Sequence, residues 1–323
     1  MKGSTASDIL SGYVSRAEQL LPGQTLLTLI AERPFIAVGV EGGSETPYVL
    51  ILPEGSVFED QRSDNLRVLK SREMSLKFED SDIREIKRCT TISFRTLSQA
   101  SQLLLDVLVQ TAVETQDSKV VAELTQDFIE LFTPSRGLSF EELLGLFGEL
   151  FVIWSSSDRE VLARAWHQRE REQYDFALEN DRLEVKATRG PERRHRFSST
   201  QIPPREGLQL SVVSIVTDEV SAGLSVVQLF EEISSSLGSG TTSRNLTKHF
   251  AKLFQRGEDL CMNTLFDWKQ AQNTLSIYDG FAMPFLELTP GIVSAKWEAD
   301  LTNVRPETSS SNALAALVAE SKN

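Results

Sequence analysis

Near the middle of the chain two short apolar runs flank a polar turn, and each run carries charge where a buried strand ordinarily has none. The segment reads Tyr174-Asp175-Phe176-Ala177-Leu178, then Glu179-Asn180-Asp181-Arg182, then Leu183-Glu184-Val185-Lys186-Ala187. Unpaired buried charge is costly, so such residues pair, bind metal or do chemistry. With Asn180-Asp181 as a two-residue turn, Asp175 stands opposite Lys186 and Ala177 opposite Glu184. Side chains alternate along a strand. Asp175, Glu184 and Lys186 then share one face, and Tyr174, Phe176, Leu178, Leu183 and Val185 take the other. Two carboxylates and an ammonium on one sheet face suit a divalent-cation site of the kind that hydrolyses phosphodiesters. The same spacing also suits an ordinary Asp175–Lys186 ion pair on an exposed sheet.

A chain of 323 residues is long enough for one large domain or two modest ones. At 40% hydrophobic and 24% charged it reads as a folded, soluble protein. No apolar run approaches the roughly 20 residues of a bilayer span, and no hydrophobic signal core follows Met1. Only Cys89 and Cys261 occur, with no CxxC, which argues against structural zinc and for a reducing cytoplasm. The net charge of −13 argues against a general nucleic-acid coat. Locally the balance reverses. Arg182, Lys186, Arg189, Arg193, Arg194, Arg196 and Arg205 face only Glu184 and Glu192, a stretch of +5 that begins at the hairpin. It suits phosphate, and equally a solvated loop.

The periodicity predicts a β-rich first third, with strands at 26–31, 35–40, 48–52, 66–69, 75–78 and 90–95, then helix from about 98 to 132. A break at 133–137 is the best internal boundary. A helix begins at Ser139, with Glu142 completing a capping box, and runs to about Trp154. A second spans about 158–172. The hairpin, a basic loop and an apolar strand at 208–216 follow. Helices are then expected at 224–237 and 242–255, and strands at 274–278 and 285–288. This predicts an α/β (α+β) fold: a β-rich domain at 1–133, a core at 134–305 with a mixed sheet flanked by helices, and a flexible tail at 306–323.

Three further sets of residues could carry chemistry. Glu149 lies in the apolar helix Leu143–Ile153, where a carboxylate needs a charged partner or a place at the rim. Gly145 and Gly148 beside it allow close backbone approach. Within Arg193-Arg194-His195-Arg196, Arg and His suit phosphate, and Gln201 suits a base edge or a catalytic lysine; a mobile basic loop accounts for the same residues. Arg244, Lys248, Lys252 and Arg256 recur every four residues with no acid from 240 to 257, a ridge able to follow a phosphate backbone or simply to face water. With a metal at the hairpin, Asp175 and Glu184 would supply carboxylates and Val185 its carbonyl, while Lys186 would orient water or stabilise the transition state. No GxSxG, GxxxxGK[ST] or helix-opening GxGxxG is present, so ATP hydrolysis is not expected.

Gly148-Glu149-Leu150, Tyr174-Asp175-Phe176 and Leu183-Glu184-Val185-Lys186-Ala187-Thr188, with His195 and Gln201 more loosely, resemble the PD-(D/E)XK nuclease superfamily. More narrowly, most of the chain resembles an uncharacterised PD-(D/E)XK family encoded among bacterial restriction and phage-defence genes. The resemblance implies a restriction-endonuclease-like core and Mg²⁺-dependent cleavage of double-stranded DNA, with Mn²⁺ as a substitute. It also implies assembly with ATPase- or helicase-like or other defence subunits, or a homodimer. By position, Asp175 and Glu184 become metal ligands, Lys186 the catalytic lysine and Glu149 an additional acid. Apart from the resemblance, the basic residues Arg189, Arg193, Arg194, His195 and Arg196, with Gln201, are the expected DNA contacts. Tyr174 stands where the motif has proline, and the long segment after Thr188 leaves the alignment of His195 and Gln201 open. A catalytically inactive, DNA-tethering subunit with the same fold is the alternative.

Overall fold

The strands expected in the first third pair into one antiparallel sheet, with those expected at 66–69 and 75–78 forming a single strand. A computed structural model describes the chain except residues 1–4, 14, 15, 17, 18, 23, 55–57, 63, 64, 79–83, 132–136, 168–172, 203–206, 239, 308–311 and 321–323. Arg205 and the break expected at 133–136 therefore lie outside the described residues. The chain divides into two compact units, Met1–Arg136 with Ala251–Arg256, and Gly137–Phe250 with Gly257–Asn323.

In the first unit, α1 (Ala6–Ser11) precedes β1 (Thr25–Glu32), β2 (Phe35–Glu41), β3 (Tyr48–Pro53), β4 (Gln61–Arg62), β5 (Leu66–Lys77) and β6 (Arg84–Phe94). They form an antiparallel sheet in the order β1-β2-β3-β6-β5-β4. Ile36, Val38 and Val40 enter one core and Ala37 another, so β2 is buried on both faces and reads as a continuous apolar run. The helical stretch expected at 98–132 is two helices, α2 (Gln99–Thr115) and α3 (Ser118–Leu131). Gln116 adopts a left-handed φ of 53° and its N–H closes on the Ala112 carbonyl, which ends α2. Leu104, Leu105, Leu108 and Phe128 pack these helices against Ile36, Val38 and Ile92.

In the second unit Ser139 opens α4 (Phe140–Ser155) with the capping box its spacing predicts. Ser139 Oγ accepts from Glu142 N–H at 3.2 Å, and Glu142 Oε2 accepts from Ser139 N–H at 2.9 Å. Then come α5 (Arg159–Ala165), β7 (Phe176–Leu178), β8 (Asp181–Thr188), β9 (Arg194–Ser198), β10 (Gln209–Val216), β11 (Glu219–Leu224), α6 (Val226–Ser236), α7 (Thr241–Phe254, of which residues 251–254 group with the first unit), α8 (Glu258–Asn263), α9 (Trp268–Thr274), β12 (Ser276–Asp279), β13 (Lys296–Asp300) and α10 (Ala313–Glu320). β8 runs parallel to β10, while β7 and β12 are antiparallel at the two edges, giving a mixed sheet β12-β10-β8-β7. α4 lies against β8 because residue 148 is glycine. A Cβ there would stand 3.1 Å from Ala187 Cβ and 3.2 Å from Val185 Cγ1. Gly145 has nothing within 4 Å, so close approach explains Gly148 alone.

Four expectations are corrected. Residues 285–288 are not a strand; the strand expected at 274–278 forms as β12, and the other late strand is β13. The basic loop contains one, β9, paired with β13 across about a hundred residues of sequence. α5 ends before Trp166 instead of continuing to 172, and residues 168–172 are outside the described set. The tail is not frayed over 312–320: Leu314, Ala315 and Val318 of α10 are buried, and Asn312 Nδ2 donates to the Arg182 and Gln209 carbonyls at 2.8 and 2.9 Å. The whole is α+β. No described helix is long and apolar enough to cross a membrane.

Candidate metal and active site

The hairpin turn falls one residue earlier than expected. Leu178 pairs with Asp181 and Phe176 with Leu183, so Glu179-Asn180 make the turn, Glu179 with φ 50°. Ala177 accordingly faces Arg182 and not Glu184. Moving the turn by one residue moves the pairing by two, and a two-residue slip leaves every side chain on its face. Glu184 and Lys186 therefore still share one side of β8.

Asp175 sits just before β7. Its Oδ2 accepts from Val185 N–H at 2.7 Å, and its backbone carbonyl accepts from His167 N–H at 3.0 Å. Burial, and then the negative charges of Glu184 and Glu149, hold its carboxyl well above the usual carboxylate range. Glu184 is 2% exposed. Its Oε1 accepts from Lys186 Nζ at 2.6 Å and from Gln201 Nε2, whereas Oε2 is buried with no hydrogen-bond partner. Burial raises the Glu184 pKa, and the neighbouring Lys186 only partly offsets this. For Lys186, burial alone would lower the pKa; contact with Glu184 and the charge of Asp175 outweigh it, so the ammonium is favoured. Its Nζ also lies 5.6 Å from the Phe197 ring centroid.

Glu149 projects from α4 beside this hairpin. Its Oε2 accepts from Trp166 Nε1 at 2.7 Å and stands 3.0 Å from His167 Nε2. One ligand atom each from Glu149, His167 and Asp175 falls within 4.8 Å of the others. His167 is not among the residues that the sequence singles out. No local motif marks it, since Glu149 is 18 residues upstream and only the fold joins them. The assembled site thus holds three carboxylates and one unpartnered buried oxygen, against Lys186 and an imidazole. Negative charge is under-compensated, and this oxygen-rich donor set fits a divalent cation.

The expected basic contacts separate into three groups. Arg193 and His195 turn inward. Arg193 donates to Ser214 O and Oγ at 3.0 and 2.8 Å and to the Thr274 carbonyl. His195 is 4% exposed, its Nε2 is 2.7 Å from Ser214 Oγ, and burial followed by the charges of Lys186 and Arg193 lowers its pKa to about 4. A buried, neutral imidazole does not grip phosphate, which corrects that expectation for His195. Arg194 and Arg196 lie on the outer face of the β9–β13 ribbon. Arg194 pairs with Glu192 at 2.9 Å, and Arg196 stands opposite Glu298 with Arg194 opposite Asp300, so the local +5 meets acid from a distant strand. Arg189 is exposed and stacks 4.4 Å over the Phe140 ring; Arg244, Lys248 and Lys252 follow one face of α7, with Arg256 just past its end. Gln201 is drawn to Glu184.

Residues 36–302 match the family model described as "Putative PD-(D/E)XK family member, (DUF4420)". No curated protein matches the chain, and no solved structure does. With most of its length matched and the acidic hairpin inside the matched region, the chain belongs to this PD-(D/E)XK family.

Proposed function

We propose that the chain is a metal-dependent DNA endonuclease with a restriction-endonuclease-like core, working as the nuclease subunit of a bacterial restriction or anti-phage system. The observation that carries the reading is the buried Glu184 Oε2, unpartnered beside Asp175, Glu149 and Lys186. PD-(D/E)XK proteins are in general nucleases that use divalent metals, which supports the same reading. Asp175, Glu184, Glu149 and the Val185 carbonyl would hold Mg²⁺, or Mn²⁺ in its place. The bound ion would acidify a water and neutralise charge on the scissile phosphate.

The chain's own groups do the rest. Lys186 is held by Glu184 Oε1, where it would orient the attacking water or stabilise the pentacovalent phosphate. Gln201 shares Glu184 Oε1 with it and fixes the carboxylate's rotation. Arg189, Arg244 and Lys248, and separately Lys252 and Arg256, would contact double-stranded DNA. Because the protein carries −13 overall, an ATPase- or helicase-like subunit would supply much of the remaining DNA grip.

Plasmid incubated with Mg²⁺ or Mn²⁺, with and without candidate partner subunits, tests this. Nicking by the wild type should fall by about 10²–10³-fold or more in Asp175→Ala and Lys186→Ala. Equal nicking by all three sinks the proposal. Absence of nicking together with absence of metal-binding heat would favour the DNA-tethering alternative.

A further inference from the structure

His167 is held in place by more than its ring. Its backbone φ is 39°, a left-handed value that is strained for a non-glycine residue and persists only where surroundings enforce it. The enforcement is visible. Trp166 N–H closes α5 on the Leu162 carbonyl, Trp166 bridges Phe176, and His167 N–H donates to the Asp175 carbonyl. The main chain carrying the imidazole is therefore clipped to the main chain carrying Asp175.

This clip sets the ring beside the acids. The 3.0 Å between His167 Nε2 and Glu149 Oε2 is the spacing of adjacent ligands on an octahedral ion with bonds of about 2.1 Å, which stand roughly 3.0 Å apart. In the metal-free protein the same spacing serves a hydrogen bond. Trp166 Nε1 donates to that Glu149 oxygen and orients it. A second observation stands beside it: Glu184, 2% exposed, has an oxygen with no partner and feels the charges of Glu149 and His167.

We infer that His167 Nε2 is itself a ligand of the metal centre, alongside Glu149 and Asp175, and that the centre selects a first-row transition ion such as Mn²⁺ over Mg²⁺. This rests on the reading of the site as a metal centre and adds a ligand to it. The chemistry is that of the donor atom. Mg²⁺ favours oxygen ligands and surrenders water reluctantly, whereas imidazole suits the borderline transition ions. Binding requires a neutral imidazole with the Nε2 lone pair free.

Pulsed electron paramagnetic resonance of Mn²⁺ bound to the full chain tests the inference directly. The wild type should show ¹⁴N modulation from a coordinated imidazole. The signal should vanish in His167→Gln and survive in His249→Gln, whose ring centroid is 5.7 Å from that of His167. Calorimetry should show Mn²⁺ affinity weakened at least about 10-fold in His167→Gln and Mg²⁺ affinity by less than about 3-fold. Bound Mn²⁺ without nitrogen coupling in the wild type, or coupling that survives in His167→Gln, overturns the ligand assignment and leaves the metal-centre reading standing. A wild type that binds neither ion overturns both. A wild-type spectrum without nitrogen coupling overturns the assignment even if the variants misfold.

Discussion

Glu41 and Glu184 are both buried glutamates on strands, one in each unit, and their surroundings differ in one respect. Glu41 has both oxygens taken by one guanidinium: Arg72 Nη1 donates to Oε2 at 2.8 Å and Nη2 to Oε1. Glu184 has Oε1 doubly satisfied and Oε2 left bare among further carboxylates. A buried carboxylate that only maintains a fold is paired on both oxygens, since an unmet partner costs the full desolvation penalty. The incomplete pairing of Glu184 stands out against this, and it lies in the region where we propose that a cation binds.

The comparison is broken most severely by removing Arg72. Arg72→Ala strands a buried carboxylate and should cost about 3 kcal/mol in denaturant unfolding, the low end for a buried pair because the arginine is 31% exposed. A smaller loss than that of an average surface substitution would mean that Glu41 and Glu184 are not different in kind. Metal addition sharpens the contrast from the other side. At 100 times its dissociation constant a cation should stabilise the protein by about 2.7 kcal/mol.

That gain should shrink on acidification. Asp175 and Glu184 have raised pKa values in the folded state, so between the ordinary and the raised pKa the folded chain holds protons that the unfolded chain has released. Stability of the metal-free protein then falls as pH rises through this window, and the metal restores it above. Thermal melts at several pH values, with and without Mn²⁺, read both trends; a metal effect independent of pH would count against the carboxylates as ligands.

Smaller effects follow nearby. Asp175→Asn keeps an acceptor for Val185 N–H while removing one of the crowded charges. It should raise metal-free stability by about 1 kcal/mol while abolishing metal binding. Gly148→Ala leaves every charge intact but presses α4 away from β8, and overpacking of about 1–3 kcal/mol, less the helix-propensity gain of about 1, should leave a modest net loss. Gly145→Ala, with open space around it, should gain about 0.5–1 kcal/mol. Melting temperatures of the two alanine variants moving in the same direction would show that Gly148 is not what seats the helix.

Much of the hairpin was legible because its signal is local. Charge in apolar strands and the period-2 alternation assign Glu184 and Lys186 to one face, and a turn misplaced by one residue does not disturb faces. The Ser139 capping box was legible for the same reason. The roles of the basic segment were not. Arg193 and His195 are polar letters that the fold spends on Ser214 and Thr274, and Arg194 and Arg196 meet Glu298 and Asp300 from a strand far along the chain. Local charge counting cannot see a partner a hundred residues away.

By itself, the sequence determined which residues alternate, where α4 begins, and that acids and a lysine share one strand pair, because these depend on interactions within a few residues. Only the tertiary structure decided that Glu149 and His167 meet Asp175, that Glu184 keeps one oxygen bare, and that His195 is buried and neutral. Those facts depend on long-range packing of α4 on β8, on the 166–167 to 175–176 main-chain clip, and on the β9–β13 pairing. Burial and charge crowding are properties of that assembled surrounding, and no stretch of sequence carries them alone.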